Sequence, residues 1–414
     1  MAKPMKHFAA IPDRGVSCVV MSADRTLLVT LAAALFATTA AASSETAATY
    51  DAATSANQVV VTVRPSRPWI ERRAGAQALD FDLVVTNDDS SPLRLCEVLL
   101  RVYDSANRLV LERTVNSNGL SPGIDVVGTP LLTSGATEDL FNPFDRFDAE
   151  VPLVRLEYTL RYRREASTAD QERNRHRLPL DFDLEAHASV SPRSDQPNTE
   201  LLLPLAGRML VWDGHDLWSH HRRIPLDDPR VLQMGIRSNA NRYAADLIVV
   251  DSEGNLWRGD PWDKRHWLSY GADVFAPASG TVIATANDIP DNEFSGKRIV
   301  YPTLPAGADD SLGNFVITDH GHGEYSVLPH LQAGSVTVKR GDVVRVGQRI
   351  GRVGFSGDAI FPHVHYSLMD APDVRRAEGL PAYFRNFRRW IGSRPQRIKR
   401  GVLGSGDVIE RLGR

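Results

Sequence analysis

His363-Val364-His365 opens an apolar run, Val364 to Leu368, that reads as a β-strand. Alternate side chains on a strand share a face, so both imidazoles project one way while Val364 packs on the other. A pair so placed can meet one metal ion, or it can simply hydrogen-bond a neighbouring carbonyl, and the pair alone does not decide. Further histidines lie upstream: His330 in Leu328-Pro329-His330-Leu331, His320 and His322 in Asp319-His320-Gly321-His322-Gly323, His266, and His215, His220 and His221 in the stretch Trp212 to Arg223. His320 and His322 have the composition of a hairpin turn, where histidine is more often solvated than functional. A catalytic zinc needs three protein ligands and an open position for water, while an unligated imidazole beside it can take and return a proton.

The order of short motifs gives the pair a context. Gly313-Asn314-Phe315-Val316-Ile317, then Leu328-Pro329-His330-Leu331, then Gly341-Asp342-Val343-Val344-Arg345-Val346-Gly347-Gln348, then Gly354-Phe355-Ser356-Gly357 and Pro362-His363-Val364-His365-Tyr366 follow one another. From about Ala276 to Asp370 this resembles the lysostaphin-type (LytM-type) zinc endopeptidases. The resemblance implies a central β-sheet with a groove, one Zn2+ ion, and cleavage of short peptides in peptidoglycan. By position it makes His365 a zinc ligand and His363 a catalytic residue beside the attacking water. It makes His330 the second unligated histidine, which steadies the substrate carbonyl or the tetrahedral intermediate.

The other two ligands depart from the family pattern, which places a His four residues before an Asp, just ahead of an Ala-Pro-x-x-Gly strand pair. In one register Asp273 is the ligand, with Ser269 where the His should stand and His266 out of step. In the other, Arg242-Tyr243-Ala244-Ala245-Asp246 supplies Asp246, with Arg242 in the place of the His. We take Asp246, because Gly271 to Pro277 then matches the strand that follows the ligand strand. The first His must come from upstream, where His220-His221 is the cluster within reach. Adjacent strand residues point to opposite faces, so one of the two faces the metal; His221 is taken, and His220 stays open.

These residues need a scaffold, and the sequence describes a mainly β one. With 414 residues, two folded domains are expected. From 58 to 189, short alternating runs such as Val59–Val63, Leu79–Val85, Glu97–Tyr103 and Val154–Leu160 are separated by turn signals, the pattern of an Ig-like antiparallel β-sandwich. Ser191 to Asn198 reads as a linker, and residues 200–382 as the LytM-type antiparallel β-sheet peptidase domain. Asp288 to Leu312 reads as a long loop of the kind that lines a cleft, and 383–414 as a solvated basic tail.

Residues 1–42 have the layout of a secretory signal: basic residues up to Arg25, the apolar run Leu27 to Phe36, and small residues ending Ala40-Ala41-Ala42-Ser43. The apolar run is too short for a stable span after cleavage, so a periplasmic or secreted protein is expected, with Met21 an alternative start. Cys18 leaves with the signal and Cys96 reads as a small buried residue, which excludes an internal disulfide in the mature chain. Lys plus Arg total 48 against 51 Asp plus Glu, a balance that gives no electrostatic reason to expect nucleic acid as a partner. The partners expected are peptidoglycan peptide stems and a protein regulator.

Two other functions compete with a wall endopeptidase. A metal-free, degenerate domain of this type would bind the wall or activate a separate peptidoglycan amidase. Val338 to Gly351 also resembles the hairpin of lipoyl and biotinyl carriers, but Lys339 precedes the hairpin instead of sitting at its tip.

Overall fold

The computed structural model describes residues 58–119, 123–128, 131–177, 181–304 and 311–412. The expected signal segment, its cleavage point, Met21 and Cys18 lie outside the described residues. Among the described residues no helix is long and apolar enough to cross a membrane.

Residues 59–190 build antiparallel sheets. Val59–Arg64, Asp82–Asn87 and Thr137–Phe141 form one; Leu184–Val190, Arg155–Arg164, Leu93–Tyr103 and Leu109–Asn116 form another, to which Leu131–Leu132 is joined. Arg155–Arg164 alternates between buried and half-exposed residues over most of its length, as a strand with one face on a core must. Both sheets feed the same core: Leu83 and Val85 from the first meet Val98, Leu100, Leu156, Tyr158 and Leu160 from the second. Cys96 is buried and unpaired within Leu93–Tyr103. The run read as one strand, Leu79 to Val85, is broken at Asp80-Phe81 into Ala76–Leu79 and Asp82–Asn87. Ala76–Leu79 pairs with Ile70–Arg73 and Arg146–Asp148 in a small third sheet.

The polar stretch after Val190 is no free tether. Ile70 N donates to Arg193 O (2.9 Å), Arg193 N to Pro68 O (2.8 Å), and Asn198 N to Glu324 Oε1 (2.7 Å).

Beyond it, ten strands make one antiparallel sheet in the order Val343–Val344, Gly280–Ala286, Asn314–Asp319, Tyr325–Leu331, Val364–Met369, Ala245–Val249, Arg208–Asp213, Val408–Arg411, Phe384–Ile391, Arg394–Gly401. Val364–Met369 lies mid-sheet and every residue in it is buried. Val364, Tyr366 and Leu368 enter the main core with Ala245, Leu247 and Val211, while His365 and Ser367 take the other face. Burying Val364 and Leu368 is worth about 1.5–3 kcal/mol each, which holds the strand that carries the histidines.

Two expectations need correction. Residues 383–414 are not a solvated tail: three strands from this segment extend the sheet beyond Arg208–Asp213, and Phe384, Phe387 and Ile409 are fully buried. Basic residues masked the signal because Arg385, Arg388 and Arg389, themselves half-buried, are interspersed with these apolar ones. The segment Asp288 to Leu312 is not wholly irregular either, since Glu293–Ser295 and Arg298–Val300 pair as a hairpin within it.

Candidate metal centre

Three adjacent strands bring the centre together. Asp213 lies opposite Asp246, past a bulge after Val211, and Asp246 lies opposite His365. Bulges re-aim side chains, and this one brings the end of Arg208–Asp213 toward the groove. His365 Nδ1 is 3.0 Å from Asp246 Oδ1, and His221 Nε2 is 3.6 Å from Asp246 Oδ2. The ligand atoms offered by His221, Asp246 and His365 all lie within 4.8 Å of one another, and all three residues are buried.

The outer nitrogen of each ring has a polar neighbour. His365 Nε2 is 2.9 Å from Ser367 Oγ, which itself donates to Asn241 Oδ1 at 2.9 Å, so the ring donates from Nε2 and keeps its lone pair at Nδ1. His221 Nδ1 is 2.9 Å from Asp213 Oδ2, close enough for an ion pair but without hydrogen-bond alignment, and its Nε2 faces Asp246. A carboxylate behind a ligating imidazole fixes its orientation and makes it a better ligand. Burial pushes His221 down to about 4, so its ring is neutral at physiological pH. Burial alone would raise Asp246, but the imidazoles of His363 and His221 outweigh it and hold the carboxyl well below the ordinary range. Two imidazoles and one carboxylate converging at a buried point fit a divalent cation, and the nitrogen-rich set suits zinc better than magnesium or calcium.

His363 and His330 stand beside this set. His363 donates from Nδ1 to Phe361 O (2.8 Å), and its Nε2 is 3.4 Å from Asp246 Oδ1. Burial disfavours a charged His363, yet Asp246 outweighs burial and raises it. His330 donates from Nδ1 to Ser356 O (3.0 Å), and its Nε2 is 3.6 Å from Asp358 Oδ1. Burial, then the charges of His363 and His365, lower His330 well below its usual value. Its backbone is left-handed, with φ +61°, at a bulge between the pairs Asn314–Leu331 and Val316–Leu328. A histidine pays of order 1 kcal/mol or more for that conformation, and here it aims the ring 5.1 Å from that of His363. Close packing of two loops supports the wall next to it: a Cβ on Gly313 would come 2.5 Å from Gly357 N, and one on Gly357 2.5 Å from Gly313 N.

All five residues line one open groove of about 750 Å³, with Trp212, Ser311, Leu312 and Asp358 to Phe361 on its surface. The stretch read as a cleft-lining loop therefore contributes its last two residues, Ser311 and Leu312.

The alternatives left open by the sequence lie in different surroundings. His221 is buried at the centre, whereas the His220 side chain is 69% exposed, with Nδ1 2.8 Å from Asp213 Oδ2. The strand-face argument for choosing between them does not apply, because both lie in a turn after Arg208–Asp213 and both rings reach the same carboxylate. Asp273 is engaged by Arg349 (2.6 Å) and is half-exposed. His320 caps a hairpin, bonded to Ser279 O and Ser326 Oγ, and His266 Nδ1 accepts from Asp260 N. Asp213, Ser367 and Asn241 were missed by sequence reasoning. Ser367 had a signal, since it follows His365 by two on the same strand face; Asp213 and Asn241 meet the site through pairing and loop packing that no local pattern reveals.

Residues 267–376 match the profile of Peptidase family M23. That span holds His330, His363 and His365, while His221 and Asp246 lie upstream of it. Over 129 residues the chain is 32% identical to the peptidoglycan DD-endopeptidase ShyA of Vibrio cholerae, covering 31% of this chain and 26% of that protein. The match thus spans about a quarter of that relative. Among solved structures it is similar to the catalytic domain of the antimicrobial peptidase lysostaphin from Staphylococcus simulans (20% identity, 33% of this chain and 74% of that one, TM-score 0.22). It is also similar to the M23 metalloprotease pseudoalterin from the deep sea (12% identity, 49% and 96%, TM-score 0.25).

Proposed function

We propose that this chain, which carries a Peptidase family M23 domain over residues 267–376, is a zinc-dependent endopeptidase that cuts peptide cross-links of bacterial peptidoglycan outside the cytoplasm. The observation that carries the reading is the buried convergence of His221 Nε2, the Asp246 carboxylate and His365 Nδ1 in a groove that also holds two unligated histidines. The match to a peptidoglycan DD-endopeptidase supports the substrate class.

His221, Asp246 and His365 would hold the ion. When bound there, zinc supplies a Lewis-acidic centre that polarises a carbonyl and makes a water more acidic. His363 Nε2 takes the proton of the attacking water, and its charge is offset by Asp246; it then returns the proton to the departing amine. His330 has spent its Nδ1 proton on Ser356, and burial keeps the ring from gaining a second, so its Nε2 lone pair faces the groove. From there it accepts a hydrogen bond from the hydroxyl of the tetrahedral intermediate and steadies it. The sheets of residues 58–189, in our reading a β-sandwich domain, contribute no ligand.

Zinc content of the purified chain and digestion of cross-linked muropeptides test this together. One zinc per chain and digestion that a chelator stops are expected; absence of both contradicts the reading.

A further inference from the structure

Arg242 is fully buried, its side chain 0% exposed, four residues before Asp246. Its guanidinium is 2.9 Å from Asp82 Oδ2 and 3.5 Å from Asp80 Oδ1, and it also bonds Glu378. Arg222, next to His221, is buried too: its Nε is 2.8 Å from Asp80 Oδ1, and it donates to Asn142 O at 3.1 Å. Upstream, His215 Nδ1 donates to Glu71 Oε2 at 2.9 Å between two buried side chains, and Arg73 bonds His215 O. Asp80, Asp82, Asn142, Glu71 and Arg73 all belong to the N-terminal sheets or the turns between them. His215, Arg222 and Arg242 belong to the two segments that deliver His221 and Asp246.

Those segments have little regular structure of their own. Residues 214–223 form turns, and 239–244 form a loop. Asn239 Nδ2 ties them together by donating to His221 O (2.8 Å) and Arg222 O (3.2 Å). Burying two guanidinium groups is expensive, and an apolar contact would often stabilise as well. What charged, hydrogen-bonded contacts add is direction: Asp80 bridges both arginines, so the two segments are held at a set separation by one N-terminal carboxylate.

We infer that Asp80 and Asp82 are positioning residues for the metal ligands, so that the N-terminal domain completes a centre to which it gives no ligand atom. The inference rests on the proposed metal site.

The test uses the whole chain in its zinc-free form and zinc alone as the probe. Zinc affinity is read by competition with a chromophoric chelator, and folding by circular dichroism and thermal melting. Asp80→Asn and Asp82→Asn are expected to weaken zinc binding roughly 10–100-fold, the range for losing groups that orient ligands. Asp82→Glu, which keeps the charge, should recover part of the loss. Glu97→Gln serves as control, because it breaks a buried pair with Arg161 inside the N-terminal sheets and should leave zinc affinity within about twofold whatever it does to melting. Should the Asp80 and Asp82 variants not fold, Asp145→Asn carries the test, since Asp145 is a more exposed partner of Arg222 at 3.5 Å; a several-fold weakening is then expected. Folded variants that bind zinc as the unaltered chain does would overturn the inference and leave the metal site standing. An unaltered chain that binds no zinc would overturn the site and the inference together.

Discussion

His365 Nδ1 and Asp246 Oδ1 face each other at 3.0 Å from directly opposed positions on adjacent antiparallel strands. With the Nε2 proton of His365 directed to Ser367, a nitrogen lone pair meets a carboxylate there, an arrangement that a shared cation resolves. His365→Ala and Asp246→Ala should therefore each remove zinc, because two protein ligands rarely hold a catalytic zinc firmly. Elemental analysis decides: full occupancy in both variants contradicts the assignment. Asp273→Ala, at a residue paired with Arg349, should keep its zinc.

The two unligated histidines should behave differently. His363→Ala and His330→Ala are expected to retain zinc yet lose about two to four orders of magnitude in turnover, the scale for losing proton transfer or stabilisation of the intermediate. Rates equal to the unaltered chain would return both residues to a structural role.

Asp213 Oδ2 lies 2.9 Å from the outer nitrogen of His221 and accepts from Ser219 Oγ at 2.8 Å. Asp213→Asn should weaken zinc binding roughly 10–100-fold while leaving zinc-saturated turnover near its original value. A chelator competition curve that does not move would show that His221 is oriented without it.

His220 and His221 differ in where their rings end up. His221→Ala should abolish zinc binding and activity together, whereas His220→Ala, at an exposed ring, should keep most of both. If the effects came out reversed, the enzyme would stand and the third ligand would be His220.

Much of this centre was legible because strand periodicity is local. His363-Val364-His365 declares its shared face in three residues, and the mainly β character follows from alternating runs such as Arg155–Arg164. The displaced ligand was harder to read: His221 reaches Asp246 through a turn, and no periodic rule says which of two neighbouring turn residues points inward. The C-terminal strands were lost for a different reason. Phe384, Phe387 and Ile409 are spaced among so many arginines that charge outweighed the apolar pattern. Arg242 looked like a missing histidine, and its pairing with Asp80 and Asp82, some 160 residues away, depends on how two cores dock.

In the proposed function the chain itself hydrolyses wall peptides and needs zinc to do so. The direct measurement is mass analysis of cross-linked muropeptides incubated with the purified chain after chelator treatment, with and without added zinc. Separated stems, one water heavier in sum than the cross-linked substrate, are expected in the zinc-supplied sample and none in the stripped one. Intact cross-links at every zinc level, from a chain that instead speeds a separate amidase, would contradict it.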